Sequence, residues 1–205
     1  MEMQDRINSY WSKRADEFGD ARYTDMQSQK RKNWEKLIKE HLPVKSSIHA
    51  LDLGTGAGFF SFILSDLGCD VTGIDYSEEM LKNAHKNCER LGYSGITFLQ
   101  MDAQELQFQD ESFDFIFTRN VTWTLPDPEK AYHEMLRVLA PGGRIMNADA
   151  NYSTGFKQMD ERGLTEKMAE HANPNYTHPA NSLEMLRERL FYRRQALKIF
   201  PQEIR

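Results

Sequence analysis

The run Asp52-Leu53-Gly54-Thr55-Gly56-Ala57-Gly58 is the first place where residue types and spacing could do chemistry. Glycines on alternate positions let a backbone turn sharply and approach a ligand with no Cβ in the way. The apolar segment behind them reads as a helix, whose first turn offers free N–H groups. Asp75 falls 21 positions after Gly54. One strand–helix–strand unit is about that long, so this carboxylate arrives beside the glycine loop, where it can accept from both hydroxyls of a ribose. Two further polar clusters close short apolar runs: Asp102-Ala103, placed for the edge of an adenine, and Thr118-Arg119-Asn120. Each alone is weak. Their recurrence at strand ends makes a nucleoside pocket the strong reading.

The glycine spacing narrows the nucleoside. A dinucleotide fingerprint wants G-x-G-x-x-G, and here Phe59 stands at the third glycine position. A G-x-G-x-G loop behind a long helical segment fits a sulfonium nucleoside, with no pyrophosphate to cradle, better than NAD. A nicotinamide-dependent oxidoreductase is the disfavoured reading.

The elements that must position these groups follow from periodicity. Residues 1–45 read as helical, with Trp34, Leu37, Ile38 and His41 or Leu42 at helical spacing before Pro43, and Tyr10, Trp11, Arg14 and Phe18 on one face of an earlier helix. From Ile48 strands and helices alternate. The strands are Ile48–Leu53, Asp70–Ile74, Ile96–Met101, Phe113–Thr118 and Arg144–Ala148. Between them lie helices over 59–67, from Ser77 as N-cap to a stop at Gly92, and from Pro128 to Leu139, the last ended by Pro141-Gly142-Gly143. Such alternation implies an α/β fold: a Rossmann-like, doubly wound, mostly parallel sheet with helices on both faces. One domain fills the chain: a helical N-terminal lid (1–45), a cofactor-binding core (48–150) and a helical segment (151–205) whose helices are expected over 156–172 and 181–199.

The stretch ALDLGTGAGFFSFILSDLGCDVTGIDYSEEMLKNA resembles the first two motifs of class I S-adenosylmethionine-dependent methyltransferases. FLQMDAQELQFQDESFDFIFTRN and LPDPEKAYHEMLRVLAPGGRI resemble the motifs that follow, in the same order. The subgroup most resembled is the small-molecule set of ubiquinone and menaquinone biosynthesis, and the likeness covers residues 48–150. The resemblance implies S-adenosylmethionine as cofactor, with Asp52, Gly54, Gly56 and Gly58 around its methionine part and Asp75 on the ribose. It implies Tyr76 and Met80 on either side of the adenine, Asp102 and Ala103 at its amino edge, and Asn120 near the carboxylate or sulfonium. Tyr10 and Trp11 match an aromatic helix that closes over the cofactor. It also implies an antiparallel pair of strands after the fifth strand, where this sequence reads as helix.

Methyl transfer from a sulfonium needs alignment and exclusion of water more than a dedicated catalytic group. The acceptor is expected to be a small molecule, approached by Arg119, Trp123, Asn151 and Tyr152, with Asp149 the candidate base if one exists. The alternative is a cofactor-binding protein without catalysis that acts through a partner.

Composition limits the partners. With 31 Asp and Glu against 26 Lys and Arg, the net charge is -5, which disfavours a nucleic-acid substrate because phosphate contacts need a basic surface. The basic run Arg187, Arg189, Arg193 and Arg194 is interleaved with Glu184 and Glu188 and reads as a solvated helix face. No apolar run approaches the roughly 20 residues of a membrane helix, and MEMQDRINSYWSKRADEF has no apolar signal core. Cys69 and Cys88 have no metal-type spacing and read as reduced thiols of a cytoplasmic protein. Asp114 inside FDFIF is expected to bond loop amides. His171 and His178 are expected on the solvated surface of a polar loop, without metal-ligand spacing, and His85 and His133 in solvated or capping positions on helices.

Overall fold

The computed structural model describes residues 3–149. The five strands β1 (His49–Leu53), β2 (Asp70–Asp75), β3 (Thr97–Gln100), β4 (Phe113–Thr118) and β5 (Leu139–Asn147) form one sheet in the order β3-β2-β1-β4-β5. Every neighbouring pair is parallel. The chain winds outward from β1 in one direction and then in the other, so the order reverses between β1 and β4. Ligands of such sheets bind outside the carboxyl ends at that reversal.

Alternation along the strands builds two cores. Ala50, Phe115 and Phe117 face one side, where they pack on Phe59, Phe60, Phe62 and Ile63 of α4 (Phe59–Asp66) and Ile38 of α3 (Gln29–His41). Leu51, Leu53 and Ile116 face the other side, against Ala131, Met135 and Val138 of α6 (Pro128–Val138). Successive side chains of a strand point to opposite faces. Both faces are covered, which explains why β4 is buried at every residue and reads as an unbroken apolar run.

Two of the helices begin on the expected signals, and the first of them also ends on its own. The Ser77 hydroxyl accepts from the Met80 N–H at 3.3 Å to cap α5 (Glu78–Leu91), and Gly92 ends it in the left-handed conformation. Asp127 caps α6, with Pro128 in its first turn. Asp114 accepts from the His49 N–H at 3.0 Å and pairs with Lys45 at 2.6 Å, so the amide it bonds opens β1 and is not a loop amide as its place in FDFIF implied.

Two element boundaries and the width of one apolar stripe depart most from the sequence reading. The N-terminal stretch is broken at Arg14 into α1 (Met3–Lys13) and α2 (Ala15–Asp25), rather than running as one helix through Phe18. In α3, Trp34 packs edge-on to Phe60 at 5.1 Å and Ile38 is buried, but Leu37 and His41 are exposed, so the apolar stripe is narrower than its spacing suggested. α6 ends at Val138 and β5 starts at once, its register on β4 jumping from Phe113–Leu139 to Phe115–Arg144. Pro141, Gly142 and Gly143 therefore sit in a strand irregularity, which tolerates a proline that a regular ladder would not. The helical segment expected over 151–205 lies outside the described residues. No helix among the described residues is long and apolar enough to cross a membrane.

Candidate cofactor site

The loop after β1 is fastened from three sides. The N–H groups of Gly54 and Thr55 donate to the Ile74 carbonyl at 2.9 and 2.8 Å, tying the loop to the end of β2. Beneath it, Asp52 is 2% exposed and accepts from the Ser61 hydroxyl at 2.8 Å. Thr55 Oγ1 lies 2.9 Å from Ser61 Oγ. Burial pushes the Asp52 carboxyl up to about 6, while hydrogen bonds from Ser61 and Thr55 hold it back. Asp52 thus anchors the first turn of α4 from below. Gly54 and Gly56 adopt φ of 76° and 55°, a region in which a side chain is strained. A Cβ on Gly54 would stand 2.2 Å from Val121 Cγ2, so the loops after β1 and β4 touch across a gap that only glycine fits.

Asp75 closes β2 with its carboxylate held in place. Oδ2 accepts from the Gly56 N–H and Oδ1 from the Ser77 N–H, both at 2.9 Å. Burial raises its pKa, and the N–H groups of Ser77, Gly56 and Tyr76 lower it again. One carboxylate thereby locks the glycine loop to the start of α5 and still lines the cavity.

That cavity lies over the carboxyl ends of β1, β2 and β4 and encloses about 1050 Å³ of space between atoms, part of it open to solvent. Gln4, Ile7, Asn8 and Trp11, one stripe of α1 at helical spacing, form a wall. Tyr76, Met80, Met101 and Ala103 form the apolar side near Asp75. On the other side of β1 stand Arg22 and Arg119, over the rings of Phe59 and Phe60. Among the described residues, the buried Nε of Arg22 has no hydrogen-bond partner.

Of the residues singled out from sequence, Gly54, Gly56, Asp75, Tyr76, Met80, Ala103, Arg119 and Asn120 line this one cavity. Asn120 does so with φ of 57°, a conformation asparagine accepts more readily than most residues. Asp52 and Gly58 stand behind the wall, not in it. Asp102 turns to its own loop, where Oδ1 accepts from the Gln104 N–H at 2.8 Å and Nε2 at 3.1 Å, leaving Ala103 at the cavity. Tyr10 accepts from Arg14 Nη1 at 2.5 Å, and its neighbour Trp11 reaches the cavity instead. Trp123 occupies a short 3-10 turn, Thr122–Thr124, and is half-buried behind the cavity residue Thr124. Asp149 is the last described residue, two positions beyond β5; Asn151 and Tyr152 lie outside the described residues. Arg22 escaped the sequence reading, although it lies four residues after Phe18 and so continues the aromatic face already drawn through Tyr10, Trp11 and Phe18.

A doubly wound sheet whose reversal point carries a fixed carboxylate beside a glycine loop defines a nucleoside-binding α/β domain. Residues 44–193 match the family described as methyltransferase domain, which is more than half of the chain, and the protein belongs to that family. It is 37% identical to a demethylmenaquinone methyltransferase of Desulfitobacterium hafniense over 62% of this chain and 53% of that protein. It is 40% identical to a phosphatidylethanolamine N-methyltransferase of Cereibacter sphaeroides over 47% of each. The chain thus spans about half the length of these two relatives. Among solved structures, a protein of Pyrococcus horikoshii OT3 superposes with a TM-score of 0.58 at 29% identity, over 68% of this chain and 67% of that one.

Proposed function

We propose that this protein transfers a methyl group from S-adenosylmethionine to a small-molecule acceptor. The observation that carries the reading is Asp75, whose carboxylate is fixed by two backbone donors at the wall of a cavity built by the glycine loop. A carboxylate so placed suits two ribose hydroxyls, and Tyr76, Met80 and Ala103 supply a mostly apolar slot of the kind an adenine ring fills. The unsatisfied Arg22 Nε in the same cavity marks a place for an anionic group. The residues present therefore fit an adenosyl amino acid.

When bound, the cofactor supplies a methyl already activated by a sulfonium charge. The chain's own work is positioning. Asp75, with its oxygens fixed by Gly56 and Ser77, orients the ribose. The Asp52–Ser61–Thr55 network keeps the glycine loop from shifting under the ligand. The Gln4, Ile7, Asn8 and Trp11 stripe of α1 shields the cavity from water. Trp123, Asn151, Tyr152 and Asp149 remain the acceptor-side proposals, with Asp149 the base where the acceptor has a proton to lose.

The test uses the whole chain. Calorimetry should show S-adenosylmethionine and its demethylated product, S-adenosylhomocysteine, binding while NADH does not. With methyl-labelled cofactor and a small-molecule extract, label should pass into the small-molecule fraction. A protein that binds NADH and ignores S-adenosylmethionine sinks the reading; cofactor binding with no transfer to any acceptor would favour the non-catalytic alternative.

A further inference from the structure

The cavity has an electrostatic feature that ribose and adenine do not use. Arg22 and Arg119 come from distant parts of the chain, one from α2 and one from the end of β4, yet both line it. Arg22 Cζ lies 4.5 Å from the centre of the Phe18 ring and 5.9 Å from that of Phe59. Arg119 Cζ lies 5.7 Å from the centre of Phe60 and 5.3 Å from that of Trp34. The Phe59 and Phe60 rings are themselves 4.9 Å apart. Two guanidinium groups are thus stacked on adjoining rings at one end of one cavity.

Their compensation is incomplete. Among the described residues the carboxylate paired with Arg22 is Asp25, at 3.0 Å, and Asp25 is shared with Lys30 at 2.7 Å. Arg119 makes no salt bridge within the described part of the chain. Arg22 and Lys30 therefore share one carboxylate, and Arg119 has none of its own among the described residues. Arg22 Nε is buried without an acceptor among the described residues, and an unsatisfied buried donor on a charged group is costly. The Arg22 pKa lies below its ordinary value, through burial first and despite Asp25, with the Arg119 charge lowering it further. Two partly desolvated guanidiniums held near each other are unfavourable unless an anion sits between them. Planar guanidinium forks match a carboxylate.

The position selects which carboxylate. Asp75 ends β2 and Arg119 follows β4, with β1 and the glycine loop between. Two strand spacings put their backbones about 10 Å apart. A ligand whose ribose is held by Asp75 and whose aliphatic chain crosses the glycine loop brings its far end to the arginines.

We infer that Arg22 and Arg119 form the subsite for the α-carboxylate of the cofactor's amino-acid part. This rests on the reading of the cavity as an S-adenosylmethionine site. It moves Arg119 from the acceptor side, where the sequence had put it, to the cofactor, and it gives α2 a direct part in binding. Arg22 discriminates an adenosyl amino acid from an adenosyl thioether that lacks the carboxylate.

Calorimetry with S-adenosylhomocysteine and 5′-methylthioadenosine reads this directly. The two share adenosine and the sulfur, and only the first carries an amino-acid carboxylate. The wild type should bind S-adenosylhomocysteine more tightly. Arg22→Met and Arg119→Met keep the apolar contact with the rings and should each lose tenfold or more for S-adenosylhomocysteine, while affinity for 5′-methylthioadenosine stays within twofold. Arg22→Lys, which keeps the charge without the fork, should retain part of the preference. Variants that weaken both ligands alike, or leave the preference intact, overturn the subsite. A wild type that binds neither ligand overturns the cavity's reading as an S-adenosylmethionine site, and the subsite with it.

Discussion

Two aspartates at neighbouring strand ends show how burial divides labour between like residues. Asp75 faces the cavity and Asp52 lies beneath it. Both Asp75 oxygens accept backbone N–H groups, so an amide cannot replace it: an asparagine would turn its NH₂ toward one of those donors. Asp75→Ala and Asp75→Asn should each weaken S-adenosylhomocysteine binding by about tenfold or more, since hydrogen bonds to a charged group contribute roughly 1.5–3 kcal/mol each. The orphaned N–H groups border an open cavity that water can enter, so the midpoint of thermal unfolding should fall only modestly. Unchanged binding with a sharply lowered midpoint would make Asp75 a structural cap. Asp52 is the opposite case, with its carboxyl pushed up from an ordinary value of 3.8 to about 6 by burial. The native state favours the protonated form. The stability Asp52 contributes is therefore complete below about pH 4 and lost as the pH rises through 6. Between pH 4 and 7 the wild type should lose about 2 kcal/mol relative to Asp52→Asn, because pH 4 already lies slightly above the unfolded value and each pKa unit is worth roughly 1.36 kcal/mol. Urea unfolding of both proteins across that range measures it, and a difference that does not vary with pH would remove the desolvated carboxyl from the account.

At the scale of elements, what was legible in the sequence is what has local cause. The Gly56 loop, the Ser77 cap, the Gly92 stop and the all-buried β4 each announce themselves within a few residues, and so five strands and the helices between them could be placed. The α1–α2 break at Arg14 has no glycine or proline to mark it. The start of β5 was hidden because Pro141-Gly142-Gly143 has the composition of a loop while sitting in a strand irregularity. The inward or outward turn of Asp52 and Asp102 depends on partners, Ser61 and Gln104, that only packing reveals. The break at Arg14 also divides what the sequence presented as one lid. α2 is fastened to α5: the buried Asn87 Nδ2 donates to the Gly19 carbonyl at 3.0 Å, Asn83 Nδ2 donates to Asp16 at 3.1 Å, and Arg90 pairs with Asp20 at 3.0 Å. A Cβ on Gly19 would lie 2.4 Å from Asn83 Oδ1, which makes this contact specific to glycine. α1 instead lays its Gln4, Ile7, Asn8 and Trp11 stripe along the cavity. Hydrogen exchange should therefore show α2 protected with and without S-adenosylhomocysteine, and α1 gaining protection when it is added. Equal protection of α1 in both states would make it a permanent wall.

For the whole molecule, the cavity draws its walls from residues as far apart in sequence as Gln4 and Leu125. α1 and α2 contribute, as do the loops after β1, β2, β3 and β4, and no short stretch holds more than a fraction of the contacts. An unfolded chain cannot assemble them, so a ligand of this site binds the native state alone. Its binding energy then adds to global stability by mass action: at one hundred times the dissociation constant the gain is about 2.7 kcal/mol. For a chain of 205 residues each kcal/mol raises the unfolding midpoint by roughly 2–4 °C. S-adenosylhomocysteine at that concentration should raise it by about 5–10 °C. The increment should grow with the logarithm of ligand concentration, as native-state binding requires. NADH at the same concentration should leave the midpoint unmoved, because the loop departs from the dinucleotide fingerprint at Phe59, where that fingerprint has the glycine that packs helix against strand. The Asp75→Ala protein should need about tenfold more S-adenosylhomocysteine for the same rise. A midpoint indifferent to S-adenosylhomocysteine at millimolar concentration, in a protein whose α2 is protected from exchange, would mean that the cavity is formed and holds something else.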